Sequence, residues 1–285
     1  MSTLAYLNFI LYYQLINLKK SGAVVANDAA TLCIWSVCMF ILLALVAILV
    51  GALIGTVGVG GILLIPALNE LANLPIQVAM GTALFSFIFT GVLGTWLYQR
   101  HGSIDWGITV PVCLGALLSG YVGALCNGYA TPRLLEILLG SVIIFAGVYA
   151  LLPACKKSAE HHPRRRLPLL LGIGALVGFG SGLTGVGGPV LSVPLMVILG
   201  FAPLTAIATS QVIQITAALS GTLGNVSNGA INFTVAAWVT VLELVGVILG
   251  AGMAHTVSTA TLKKTVSVVC ILVGGFILTR ALIQS

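Results

Sequence analysis

Two decapeptides concentrate the chemistry of this chain: "GTVGVGGILL", Gly55 to Leu64, and "GLTGVGGPVL", Gly182 to Leu191. Each sets a cluster of glycines between apolar runs. Glycine adopts backbone conformations that other residues resist, and it has no side chain to hold a ligand away. A glycine-rich loop that opens a helix presents N–H groups with no carbonyl partner, at the positive end of the helix dipole. Such an end binds an anion without needing a full positive charge. Pro189 suits a first helical position, where the N–H would be unpaired anyway. The candidate binding residues are Gly58, Gly60 and Gly61 in the first motif, and Thr184, Gly185, Gly187 and Gly188 in the second. The competing role for the same glycines is close helix crossing. A GxxxxGK[ST] phosphate loop and a GxGxxG in a βαβ context are both missing, so no nucleotide or other cofactor is implied.

A second set of residues offers polar lining. Thr205, Thr209, Thr216 and Ser220 recur at helical spacing, with Gln211 and Gln214 beside them. Hydroxyls in membrane helices often bond only to their own backbone. A primary amide in hydrocarbon needs partners, so Gln211 and Gln214 are candidates for a polar path. Thr82, Ser86 and Thr90 repeat every fourth residue on an earlier run and take the same candidate role. Glu243 is the one acid near the middle of an apolar run. Acids at such depth face a cavity or a partner, and desolvation favours the neutral carboxyl, as a proton carrier requires. A neutral structural acid is the alternative. Glu70, Asp105 and Glu136 stand near run ends, where solvation explains them. The six cysteines form no CxxC pair, and no cluster of His, Cys and acid has catalytic or metal-ligand spacing. The reading is therefore not an enzyme.

The elements that must position these residues follow from composition. Of 285 residues, 59% are hydrophobic and 6% charged, and mean hydropathy is +1.16. Soluble domains carry about 25% charged residues, so this chain is expected to be an all-α polytopic membrane protein whose surface meets the lipid bilayer. The net charge of +6 lies at run ends and in one loop, not in a stripe with interleaved aromatics. It reads as positive-inside topology rather than nucleic-acid binding.

The chain repeats itself at a constant separation of 127 residues, from Gly58 to Gly185. At that separation Gly51 meets Gly178, Thr82 meets Thr209, Gly94-Thr95 meets Gly221-Thr222, and Gly123 meets Gly250. The joint Gly102 to Trp106 meets Gly229 to Phe233. Matches in Gly and Thr over such a length indicate duplication. The expected organisation is an N-terminal extension, 1–31, with an interfacial helix, then a first repeat, 32–152. A basic linker, 153–166, and a second repeat, 167–285, complete it. Each repeat holds a long run, a glycine break, a short run and three further runs. The short runs, Ile62 to Ala72 and Val190 to Gly200, fall below the roughly 20 residues of a span and are expected half-helices. A long run and its half-helix contribute an even number of crossings, and three spans make the total odd. The duplicated unit must then be inverted in the membrane, as in many secondary transporters. The linker "CKKSAEHHPRRR" sets the orientation, being cytoplasmic by the positive-inside rule.

The motifs "GTVGVGGILLIPAL", "AMGTALFSFIFTGVLGTWLYQRHGSIDW", "GFGSGLTGVGGPVLSVPL" and "AIATSQVIQITAALSGTLGNVSNGAINF" resemble the TauE/SafE family of membrane transporters. The resemblance runs from about Leu32 onward. It implies a bacterial inner-membrane protein that moves sulfite, organosulfonates such as sulfoacetate, or related small sulfur anions. Carried over by residue, it falls on the two glycine breaks and on the Thr82 and Thr209 regions. The leading expectation is an ion-gradient-coupled secondary transporter with Glu243 as coupling group. The alternative is a passive anion channel of hourglass half-helix architecture. The anion, its direction of movement and any homo-oligomer stay open.

Overall fold

The computed structural model describes residues 27–57, 60–151, 167–228, 230–253 and 259–283. Gly58 and the basic linker 153–166 therefore lie outside the described residues, as does nearly all of the N-terminal extension. Among the described residues the chain is helical throughout. In chain order, α1 is Asn27–Val57, a 3-10 turn at Gly61–Leu63 leads into α2, Leu64–Glu70, and α3 is Ile76–Arg100. Then come α4, Trp106–Tyr129, α5, Pro132–Leu151, α6, Leu167–Thr184, and α7, Gly188–Ile198. The chain continues through α8, Pro203–Ser227, α9, Phe233–Met253, and α10, Thr259–Ile283. The half-helices fall where the short runs predict them. α1 begins at Asn27, ahead of the expected start at Leu32.

Local signals set the helix ends. Asp105 caps α4 by accepting from Gly107 N at 3.0 Å, and Asn232, its repeat mate, caps α9 by accepting from Val235 N at 3.1 Å. Gly102 and Gly200 turn the chain at φ +64° and +92°, where a Cβ would be strained. Six helices, α1, α3, α4, α5, α6 and α9, are long and apolar enough to cross a membrane. α8 is as long as α3, at 25 residues, but is not among them: it carries Thr209, Ser210, Gln211, Gln214 and Ser220, all buried. The outward faces are apolar, with Leu118, Leu176, Leu223 and Ile248 exposed. In water such a surface would be an aggregation liability; in lipid it is ordinary.

Packing is reciprocal between the halves. α1 lies against α9 and α6 against α4, while α3 meets α8 and α5 meets α10. The first helix of each half thus packs on the fourth helix of the other. Four close approaches obey the 127-residue correspondence. A Cβ added at Gly51 would meet Glu243 O at 2.1 Å, and one at Gly178 would meet Ala116 O at 2.4 Å. Likewise Gly250 abuts Ala52 O and Gly123 abuts Phe179 O, at 2.2 and 2.3 Å from the added carbon. Small residues here permit close helix crossing.

Two pairs of helices that pack on each other run in opposite senses. Along α3 and α8, Gly81 abuts Asn225, Gly91 abuts Ile215 and Gly94 abuts Gln211. Along α5 and α10, Gly140 abuts Leu278 and Gly147 abuts Ile271. The ends agree: Arg133 Nε donates to Ala281 O at 3.1 Å, and Arg280 pairs with Glu70. The end of α2, the start of α5 and the end of α10 therefore share one end of the bundle.

Candidate functional site

Both glycine breaks converge on one narrow cavity. It is lined by Ile54, Gly60, Gly61, Phe87, Val186, Pro189, Val190 and Gln214. Phe87 on α3 and Gln214 on α8 are repeat mates, and they touch. Gln214 Nε2 donates to Phe87 O at 3.1 Å and to Thr90 Oγ1 at 2.9 Å. The cavity lies beside this contact.

The glycines are what let the breaks come so near. A Cβ at Gly61 would stand 2.5 Å from the Phe87 ring, and one at Gly187 would stand 3.1 Å from it. A Cβ at Gly188 would meet Gln214 N at 2.9 Å. Gly185 and Gly187 also hold φ of +70° and +82°, a region where L side chains are strained. The second break turns the chain sharply from α6 into α7. Helix α7 starts at Gly188 with Pro189 in its first turn, so its positive end is directed at the cavity. Asn127 Nδ2 donates to Leu183 O at 2.7 Å, satisfying a carbonyl freed where α6 ends.

Of the residues singled out from sequence, Gly60, Gly61 and Gln214 line the cavity, and Gly187 and Gly188 back it through Phe87 and Gln214. Gly185 packs against Met80 on α3. Thr184 Oγ1 donates to Gly180 O at 2.7 Å, a bond within its own helix. Thr82 and Thr209 do not line the cavity. Thr82 Oγ1 accepts from Asn232 N at 3.1 Å, and Thr209 Oγ1 lies 3.1 Å from Thr109 Oγ1. Each ties its helix to the joint or first turn preceding the fourth helix of the opposite half. Gln211 stands one turn from Gln214, fully buried against Gly94, and neither atom of its amide has a partner among the described residues.

Glu243 is the only buried Asp, Glu, Lys or Arg among the described residues. Neither carboxyl oxygen takes up a hydrogen bond there. Ser86 lies beside it, but the Ser86 hydroxyl donates to Ala83 O at 2.9 Å. Ser86 and Thr90 are one turn apart on α3, so a line of polar groups runs from Glu243 past Ser86 and Thr90 to Gln214. Phe87, like Ile54, Val186 and Val190, is a lining residue that reading by residue type misses. Its signal was in the repeat: it is the position paired with Gln214.

A family model described as sulfite exporter TauE/SafE matches residues 43–277. A probable membrane transporter protein of Bacillus subtilis, YdhB, is 26% identical over 233 residues, covering 79% of this chain and 94% of that protein. A second from the same organism, YunE, is 27% identical over 266 residues, covering 83% and 95%. A probable membrane transporter protein of Xylella fastidiosa is 33% identical over 109 residues, covering 37% and 42%. No solved structure gives a significant match.

Proposed function

We propose that this chain, which belongs to the sulfite exporter TauE/SafE family, holds a small sulfur-containing anion between its two glycine breaks. As a multi-pass membrane transporter it carries that anion across the cell inner membrane, driven by an ion gradient. The observation that carries the reading is the convergence of both breaks on one cavity where Phe87 meets Gln214. The N-terminus of α7, which opens at Gly188, favours an oxyanion of sulfite or organosulfonate type. The two halves are read as inverted repeats, 32–152 and 167–285, because α3 opposes α8 and α5 opposes α10 in direction. The linker 153–166 is then cytoplasmic. Both glycine motifs serve as site, whereas Gly51, Gly123, Gly178 and Gly250 serve helix crossing.

Anion binding by purified protein tests the site. Gly61→Ala crowds the Phe87 ring, and Gly188→Ala crowds the Gln214 backbone. Each is expected to weaken sulfite binding by about tenfold or more, as misplacing a donor costs roughly 1–3 kcal/mol. Gly172→Ala and Gly275→Ala, where an added Cβ has nothing within 4 Å, leave it unchanged. Equal binding by all four variants would remove the breaks from the site.

Topology is tested separately. Cysteines placed at Gly102 and Asn228, in a background free of other cysteines, are expected to label from opposite sides of the membrane. Labelling from one side would end the inverted-repeat reading. The channel alternative predicts flux that saturates only weakly and never runs uphill. Accumulation of sulfite against its gradient under an imposed pH difference excludes it.

A further inference from the structure

The cavity's polar groups are of two kinds. The breaks supply donors, while Gln214 supplies an acceptor. Phe87 O is a backbone carbonyl and can only accept, so the amide atom 3.1 Å from it must be the nitrogen. The same nitrogen gives its other hydrogen to Thr90 Oγ1 at 2.9 Å. Both donors of the amide are thereby turned to α3. Gln214 is 2% exposed and lines the cavity. What its amide leaves for an occupant is the carbonyl oxygen, which accepts no hydrogen bond among the described residues.

An acceptor dipole facing a bare oxyanion oxygen is repulsive, whereas the same dipole facing an O–H is a hydrogen bond. The counterpart of Gln214 is Phe87, and the remaining side-chain walls are Ile54, Val186, Pro189 and Val190. The cavity therefore presents this acceptor on the α8 side only. We propose that the occupant is an oxyanion that keeps one hydrogen-bond donor, delivered to Gln214 Oε1, with its bare oxygens on the glycine-break N–H groups. A fully deprotonated dianion is disfavoured. The inference rests on the reading of the breaks as an anion site. The donor has two chemical sources: an acidic O–H of the anion itself, as in hydrogen sulfite, or a hydroxyl on a short carbon chain bearing a sulfonate.

Calorimetry on the purified full chain distinguishes them, using sulfite, 2-hydroxyethanesulfonate and ethanesulfonate. The sulfonates keep one charge across the working pH range, so ethanesulfonate controls for titration of the protein. Among the described residues no Asp, Glu, His, Lys or Arg lines the cavity, and Glu243 on α9 lies beyond Ser86. If the anion's own O–H is the donor, sulfite affinity falls about tenfold per pH unit above its second ionisation, while ethanesulfonate affinity stays flat. If a carbon-borne hydroxyl is the donor, 2-hydroxyethanesulfonate binds about tenfold more tightly than ethanesulfonate. Gln214→Met removes either preference, and ethanesulfonate binding reports that the variant is folded. Sulfite binding indifferent to its own ionisation, together with equal binding of the two sulfonates by the unmodified protein, overturns the proposal and leaves the anion site standing. Binding of none of the three overturns both.

Discussion

Gly174→Val abolishes the folded protein. Gly174 lies on α6 where it crosses α4, and a Cβ there would stand 1.9 Å from Val112 O, 2.8 Å from Val112 C and 3.0 Å from Ala116 N. The obstacle is backbone on every side, so no rotamer change relieves it. Overpacking a core by a methylene typically costs about 1–3 kcal/mol when side chains can shift. Here the helices themselves must part, and Val adds two further methyl groups. The expected cost exceeds the upper end of that range and consumes much of a typical stability of about 5–15 kcal/mol. The measurement is the yield of monodisperse protein extracted from membranes, with thermal unfolding of whatever remains. Gly172→Ala, on the same helix with open space around it, gives the normal yield. A Gly174→Val protein that extracts and melts like the unmodified chain would mean that α4 and α6 do not cross as described. Gly147 and Gly274, at the α5–α10 contact, would be poor controls: each would place a Cβ within 3.0 Å of the partner helix.

The contrast between Gly172 and Gly174 indicates what was legible in the sequence. The number of helices among the described residues and the two half-helices followed from hydropathy and from glycine spacing, because lipid leaves a chain few other ways to satisfy its backbone. That Gly60 and Gly61 would border one cavity with Val186 and Pro189 was also within reach, since the same glycine break recurs in the sequence. The partner of each helix was not. That α1 packs on α9 rather than on its neighbours depends on surface shape, which a pattern of Gly, Ala and Leu encodes too diffusely to read. The threonines illustrate the same limit. Thr82 and Thr209 recur at the repeat spacing and suggest a binding role, but their hydroxyls hold the cross-half joints at Asn232 and Thr109. Recurrence marks a shared function without saying whether it is architectural. Phe87 was hidden for the opposite reason: the positions 127 residues apart differ there, Phe against Gln.

Glu243→Gln is expected to keep anion binding and to lose uphill transport. The carboxyl is buried, its oxygens have no partner among the described residues, and its repeat mate is Ala116, so one half alone carries it. Its own backbone carbonyl faces Gly51 at the α1–α9 crossing, which fixes the residue where helices meet rather than toward lipid. The nearby Ser86 hydroxyl donates its hydrogen bond to Ala83 O. In this arrangement a carboxylate at Glu243 has no donor among the described residues. Releasing the proton therefore requires a rearrangement that admits water or a cation, which is what a coupling group must require. The line through Ser86 and Thr90 to Gln214 places that event within reach of the anion cavity without putting the acid in it. Glutamine preserves volume and a donor toward Ser86 but cannot titrate. In reconstituted vesicles the variant should bind sulfite with unchanged affinity, exchange it at near-normal rates, and accumulate none under an imposed pH difference. Accumulation with the unmodified dependence on pH would exclude Glu243 as the coupling group. Loss of binding together with transport would instead make it a structural acid at the α1–α9 crossing.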